Sequence, residues 1–114
     1  MTTAMQAMAA RQGQYVAVEI RVRGRVQGVG FRPTVWRLAC ELGLRGEVLN
    51  DAQGVLVRVG GGRNAIAAFI DRMEREPPPL GRIDKIETRA FFGALLDGFR
   101  IRSEEHTSEL RHRH

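Results

Sequence analysis

The stretch GRVQGVGFR, from Gly24 to Arg32, sets three glycines and two arginines within nine residues, directly after an apolar alternation. Those residue types suit one kind of chemistry. Glycines permit turns in which successive backbone N–H groups converge on a point, and such a nest holds an anion. An arginine adds a planar fork that grips two phosphate oxygens at once. A helix starting after the loop would add its free N–H groups and its dipole. Pro33 suits the first position of that helix, which leaves Arg32 extended just before it, beside the cap. The same string also fits a basic surface turn, with Arg25 facing solvent or steering an anion inward. It is not a P-loop, which needs lysine with serine or threonine. Nor is it a dinucleotide fingerprint, whose glycine spacing differs.

Asn50 is the second candidate, standing at the end of a strand and before the turn DAQG. An amide both donates and accepts, so it can hold a water. It is also a common turn residue. The remaining residues offer less. His106, His112 and His114 all lie near the C-terminus, so a Ser/His/Asp set has no histidine in the body of the chain. The carboxylates are scattered, with no pair spaced for acid/base work. Trp36 and Cys40 read as packing residues of the first helix, and Arg72 and Arg75 as a solvated helix face.

The elements that must position these residues follow from periodicity. Val16, Val18, Ile20 and Val22 alternate with Ala17, Glu19 and Arg21, which predicts a half-buried strand over residues 15–23. After the loop, Val35, Leu38, Ala39 and Leu42 recur at helical spacing and stop at Gly43. Residues 45–50 and 55–60 read as strands joined by a turn in which Gly54 can take positive φ. Ile66, Phe69, Ile70 and Met73 mark a second helix, ended by Pro77, Pro78 and Pro79. A fourth strand covers residues 82–91. A last short strand centred on Phe99, Arg100 and Ile101 makes an irregular final hairpin. The order β-α-β-β-α-β predicts a ferredoxin-like α+β sandwich, an antiparallel sheet with two helices on one face. RNA-binding modules share this order, but they need aromatics on the central strands, and VLVRV, Val55 to Val59, has none.

Composition sets the outer limits. A chain of 114 residues, 43% hydrophobic and 27% charged, suits one domain with a modest core. No apolar run reaches the roughly 18 residues of a membrane helix, and residues 1–14 lack a signal-peptide core. Cys40, the sole cysteine, cannot form an internal disulfide. The expected compartment is the cytoplasm. Net charge is +5, and of the 18 basic residues only Lys85 is lysine. Arginine is the better fork for phosphate, although codon preference gives the same bias.

Residues 1–14 read as a disordered arm and residues 15–102 as the folded domain. RSEEHTSEL, Arg102 to Leu110, is the translation of a common sequencing adapter, AGA TCG GAA GAG CAC ACG TCT GAA CTC. The expectation is that residues 103–114 are not native and that further domains follow Arg102 in the natural protein. The terminal HRH is then neither a metal site nor a tag. Different codons in the source nucleotide sequence would refute this.

The two candidate motifs resemble a known pair. GRVQGVGFR resembles the first acylphosphatase signature, G-x-V-Q-G-V-x-F-R. GEVLNDAQG, Gly46 to Gly54, resembles the second, a G-x-V-x-N strand followed after three residues by glycine. The resemblance runs from about Tyr15 to Arg102. It implies that the backbone of Gln27, Gly28, Val29, Gly30 and Phe31, with Arg32, binds the phosphoryl group. It implies that Asn50 orients the attacking water, so that Arg32 and Asn50 are the catalytic residues. No metal or organic cofactor is implied, and no nucleic-acid or membrane partner. The implied substrate is an acyl phosphate, with inorganic phosphate or sulfate as site ligands. Such a substrate has a good leaving group, so placing water and neutralising phosphate charge carry most of the catalysis.

The longer strings GVGFRPTVWRLACELGLRGEVLN and EREPPPLGRID resemble the N-terminal domain of the HypF family, carbamoyltransferases of nickel-iron hydrogenase maturation. That resemblance implies carbamoyl phosphate as substrate. It also implies later domains that activate the carbamoyl group with ATP and pass it to a partner's cysteine. Small acylphosphatases carry an aromatic at the position of Glu47 and usually a polar residue at that of Leu49. A stand-alone acylphosphatase and an inactive anion-binding domain are the alternatives.

Overall fold

The computed structural model describes residues 14–102; all but Gln14 of the arm expected over residues 1–14, and the tail over 103–114 with its histidines, lie outside the described residues. The elements are β1 (Tyr15–Arg25), α1 (Phe31–Glu41), β2 (Arg45–Asp51), β3 (Gly54–Gly62), α2 (Arg63–Arg75), β4 (Arg82–Ala90) and β5 (Phe99–Ile101). The strands form one sheet in the order β4-β1-β3-β2-β5. β1 runs antiparallel to β3 and β4, and β2 antiparallel to β3.

The alternation in β1 does what its period demands. Ile20 and Val22 are fully buried beside Val55, Val57 and Val59 of β3 and Val48 of β2. Val35, Leu38 and Ala39 of α1 and Ile66, Phe69 and Met73 of α2 cover that face. Each such large side chain contributes about 1.5–3 kcal/mol by leaving water. Both helices therefore sit on one face, as a ferredoxin-like sandwich requires.

The final hairpin is a correction. β5 does not fold back on β4. It crosses to the far edge and lies parallel to β2, Gly46 opposite Phe99 and Val48 opposite Ile101. Three residues carry no period from which a partner could be read. The crossing segment is pinned on its way: the Phe91 N–H donates to the Ala17 carbonyl at 3.0 Å, and Arg45 pairs with Asp97. Phe99 then enters the core. The sheet is thus mixed, with one parallel pair at its edge.

The face opposite the helices carries charge. Glu19 of β1 accepts from Arg58 of β3 and Arg89 of β4, and Glu47 of β2 accepts from Arg58 and Arg102. Burial pushes the Glu19 carboxyl up, but the two guanidinium groups outweigh it and hold it below its ordinary value. Of the two central strands, β3 has no aromatic residue and β1 has only Tyr15 at its start, under the Arg45 guanidinium, whereas an RNA-binding sheet stacks bases on several aromatics of these strands.

Candidate active site

Gly24 sits at a bulge where the β1–β4 register shifts, with φ 136°. The bulge turns the chain out of the sheet. Val26 and Phe31 then plunge into the core, 2% and 1% exposed, and Val29 packs against it. These three apolar anchors suspend the loop. Gln27, Gly28 and Gly30 between them face outward.

Gly28 and Gly30 have φ of 75° and 84°, and a Cβ at either would meet nothing. Glycine is required here by backbone conformation alone, and the concave side of the loop is open. Gly30 is the N-cap of α1, and no side chain caps the helix. The first turn of α1 contains no acidic residue, so nothing within it neutralises the dipole. Thr34 is the first residue to bond back, to the Gly30 carbonyl at 3.3 Å. Among the described residues, no acceptor takes the backbone N–H groups of Gln27, Gly28, Val29, Gly30, Phe31 or Arg32. Unpaired donors, left-handed glycines and an uncapped helix start are the features an anion nest needs.

The helix start corrects the sequence reading. α1 begins at Phe31, so Arg32 is its second residue and Pro33 its third. The extended bias of a residue before proline is overridden. At the third position proline removes an N–H that has no partner in any helix, so nothing opposes an earlier start.

Arg32 projects toward the end of β5. Its Nη1 donates to the Arg102 carbonyl at 3.0 Å. The Arg102 N–H in turn donates to the Val48 carbonyl of β2 at 2.9 Å. Arg102 follows Ile101, which pairs with Val48 two residues before Asn50. The arginine and the asparagine are therefore brought to the same end of the sheet. Asn50 points to the helix side, alternating with Asp51 on the open face. It is 7% exposed, and its Oδ1 is buried with no hydrogen-bond partner among the described residues. A buried acceptor left empty costs about 1–3 kcal/mol.

Gln27 has a second task that its sequence context did not reveal. Its Nε2 donates to the Asp51 carbonyl at 2.7 Å and the Gly54 carbonyl at 2.9 Å. The side chain thus clamps the loop to the β2–β3 turn, leaving its backbone N–H for a ligand. Asp51 tightens the same turn by accepting from the Gln53 N–H and from Arg21. The Arg21 guanidinium holds the Asp51 carboxyl below its usual range, against a smaller opposing push from burial. Arg25 lines a groove of about 340 Å³ beside the loop, with Gln27, Gln53 and Gly54. It is exposed and has no acidic partner among the described residues, as a solvent-facing or steering arginine would be.

Two packing readings need amendment. Cys40 is exposed. Trp36 is 43% exposed, and its Nε1 donates to the Phe99 carbonyl of β5 at 3.1 Å. A larger concavity of about 350 Å³ lies on the open face among Glu19, Arg21, Arg23, Glu87 and Arg89. Its charges already pair with one another or with Asp51. No helix of the described residues is long and apolar enough to cross a membrane.

The acylphosphatase family model matches residues 18–101. The carbamoyltransferase HypF of Rhodobacter capsulatus is 55% identical over 86 residues, covering 75% of this chain and 11% of that protein. The acylphosphatase of Latilactobacillus sakei is 42% identical over 71 residues, covering 61% of this chain and 77% of the enzyme. The crystal structure of full-length HypF in a phosphate- and nucleotide-bound form superposes with a TM-score of 0.77 at 38% identity. It matches 82% of this chain and 13% of its own. The chain thus spans about a tenth of the carbamoyltransferases it matches. With the fold, the loop and the matched span in agreement, the chain belongs to the acylphosphatase family.

Proposed function

We propose that this domain hydrolyses acyl phosphates, and that its substrate is carbamoyl phosphate, as the first domain of a HypF-type carbamoyltransferase. The observation that carries the reading is the meeting of three things at one end of the sheet. These are the run of unpaired N–H groups over residues 27–32, the Arg32 guanidinium and the unpartnered Asn50 Oδ1. The phosphate in the similar HypF structure and the higher identity to carbamoyltransferases than to the small enzyme support the substrate.

In the proposed reaction the phosphoryl oxygens sit in the nest and on the Arg32 fork. Asn50 Oδ1 accepts from the attacking water and aims its lone pair at phosphorus. The P–O bond to the acyl group breaks, and its electron pair leaves with the carbamate or carboxylate. That oxyanion is stable at neutral pH, so no acid need protonate it. The water proton passes to phosphate or solvent. Catalysis rests on position and charge. No cofactor has a part in these steps.

The test is release of phosphate from carbamoyl phosphate and acetyl phosphate by the 114-residue chain. The parent should turn over both, with the higher kcat/KM for carbamoyl phosphate. Arg32→Ala and Asn50→Ala should each lose about 100-fold or more. Variants that match the parent would overturn the site. Equal kcat/KM for the two substrates would leave a general acylphosphatase.

A further inference from the structure

Arg32 and Trp36 lie four residues apart on α1, so they share one face of the helix. Both side chains reach β5. Arg32 Nη1 donates to the Arg102 carbonyl at 3.0 Å, and Trp36 Nε1 donates to the Phe99 carbonyl at 3.1 Å. The two carbonyls bracket the strand. On the β2 side, the Gly98 carbonyl accepts from the Gly46 N–H and the Arg102 N–H donates to the Val48 carbonyl, each at 2.9 Å. In a strand successive carbonyls alternate in direction, so Phe99 presents its carbonyl away from β2 and toward α1. Trp36 thus closes an edge that no strand covers.

β5 is only three residues long. One parallel ladder cannot fix so short a segment firmly. Yet the residue that follows it, Arg102, carries the carbonyl that orients the proposed phosphate-binding guanidinium. We propose that Trp36 is a positioning residue for Arg32. Its indole N–H holds β5 against α1, β5 holds the Arg102 carbonyl, and that carbonyl aims the Arg32 fork toward the nest. A guanidinium has five donors in a plane, so one can stay on the carbonyl while others meet phosphate. The inference rests on the proposed role of Arg32.

Trp36 is the sole tryptophan, so it can be tested and can report. Trp36→Phe keeps most of the ring and removes the N–H. In the 114-residue chain it should raise the KM for acetyl phosphate about 2- to 10-fold, the range of one ordinary hydrogen bond. Its kcat should change less than the KM does. A purely structural role predicts a lower melting temperature with KM unchanged, and that result overturns the proposal. The parent supplies a second readout that needs no variant at position 36. Titration with inorganic phosphate should shift the Trp36 emission, with a midpoint equal to the phosphate inhibition constant. The shift should persist in Arg32→Lys at a weaker midpoint and vanish in Arg32→Ala. Emission that ignores phosphate at concentrations that inhibit hydrolysis overturns the link. If Arg32→Ala instead hydrolyses acetyl phosphate like the parent, the role of Arg32 fails, and that failure is visible before Trp36 is touched.

Discussion

At Gly30 the backbone conformation is the whole reason for glycine, because a Cβ there has open space around it. Gly30→Ala should therefore lower the unfolding free energy by about 1–2 kcal/mol, the strain of a left-handed residue, as denaturant melts would read. Phosphate binding should weaken with it, because the nest relaxes. Asn50 shows the opposite balance. Its Oδ1 is buried and empty, so it opposes folding where it serves the reaction. Asn50→Leu, of similar volume, should raise stability by about 1 kcal/mol and abolish hydrolysis. A stabilised and inactive variant is the signature of a residue kept for function. Both residues were singled out by the sequence, because glycine spacing and an amide before a turn are local patterns. The clamp made by Gln27 was not, since its two acceptors lie 24 and 27 residues away.

The β2–β3 turn is the element on which the site leans. Gln27 grips its two carbonyls, and Asp51 braces it through Arg21 and the Gln53 N–H. The Asp51 carboxyl is held below its ordinary value of 3.8, chiefly by the hydrogen bond from Arg21. A carboxyl depressed in the folded state lends stability above its unfolded pKa, and that stability is lost as pH falls through the folded one. Asp51→Asn should therefore lower the melting temperature at pH 6 and narrow its gap from the parent as pH drops from about 4 toward 2. A gap independent of pH would assign the loss to packing. The long elements were legible because half-buried strands and amphipathic helices repeat. The start of α1 was not. Pro33 marks a first helical position in sequence, yet the third position accepts proline equally well, and the buried Phe31 draws the helix two residues earlier. β5 failed for another reason: its edge position is fixed by Phe99 in the core and by α1, which no local period encodes.

At the scale of the molecule, much of the arginine among the described residues is spent on ion pairs. Arg21, Arg23, Arg58, Arg72, Arg82, Arg89 and Arg102 each meet a carboxylate. Phosphate should thus bind at one place rather than over a face. At about 100 times its dissociation constant it should add about 2.7 kcal/mol to stability. For a domain of this size that raises the melting temperature by about 10 °C or more. Chloride at equal ionic strength should not, nor should phosphate with Arg32→Ala; equal shifts would mean diffuse screening. The strand order has a kinetic consequence as well. Only β2 and β3 join through a short turn, while Glu19 bonds partners 39 and 70 positions away and Arg32 reaches 70 positions to Arg102. Chains closed by such distant pairings refold on the order of milliseconds to seconds rather than microseconds. The turn after Asn50 can form early, but the Arg32 contact must wait for the last strand. On dilution from denaturant, hydrolysis should therefore return no sooner than the slowest change in Trp36 emission, making catalytic competence a late event of folding.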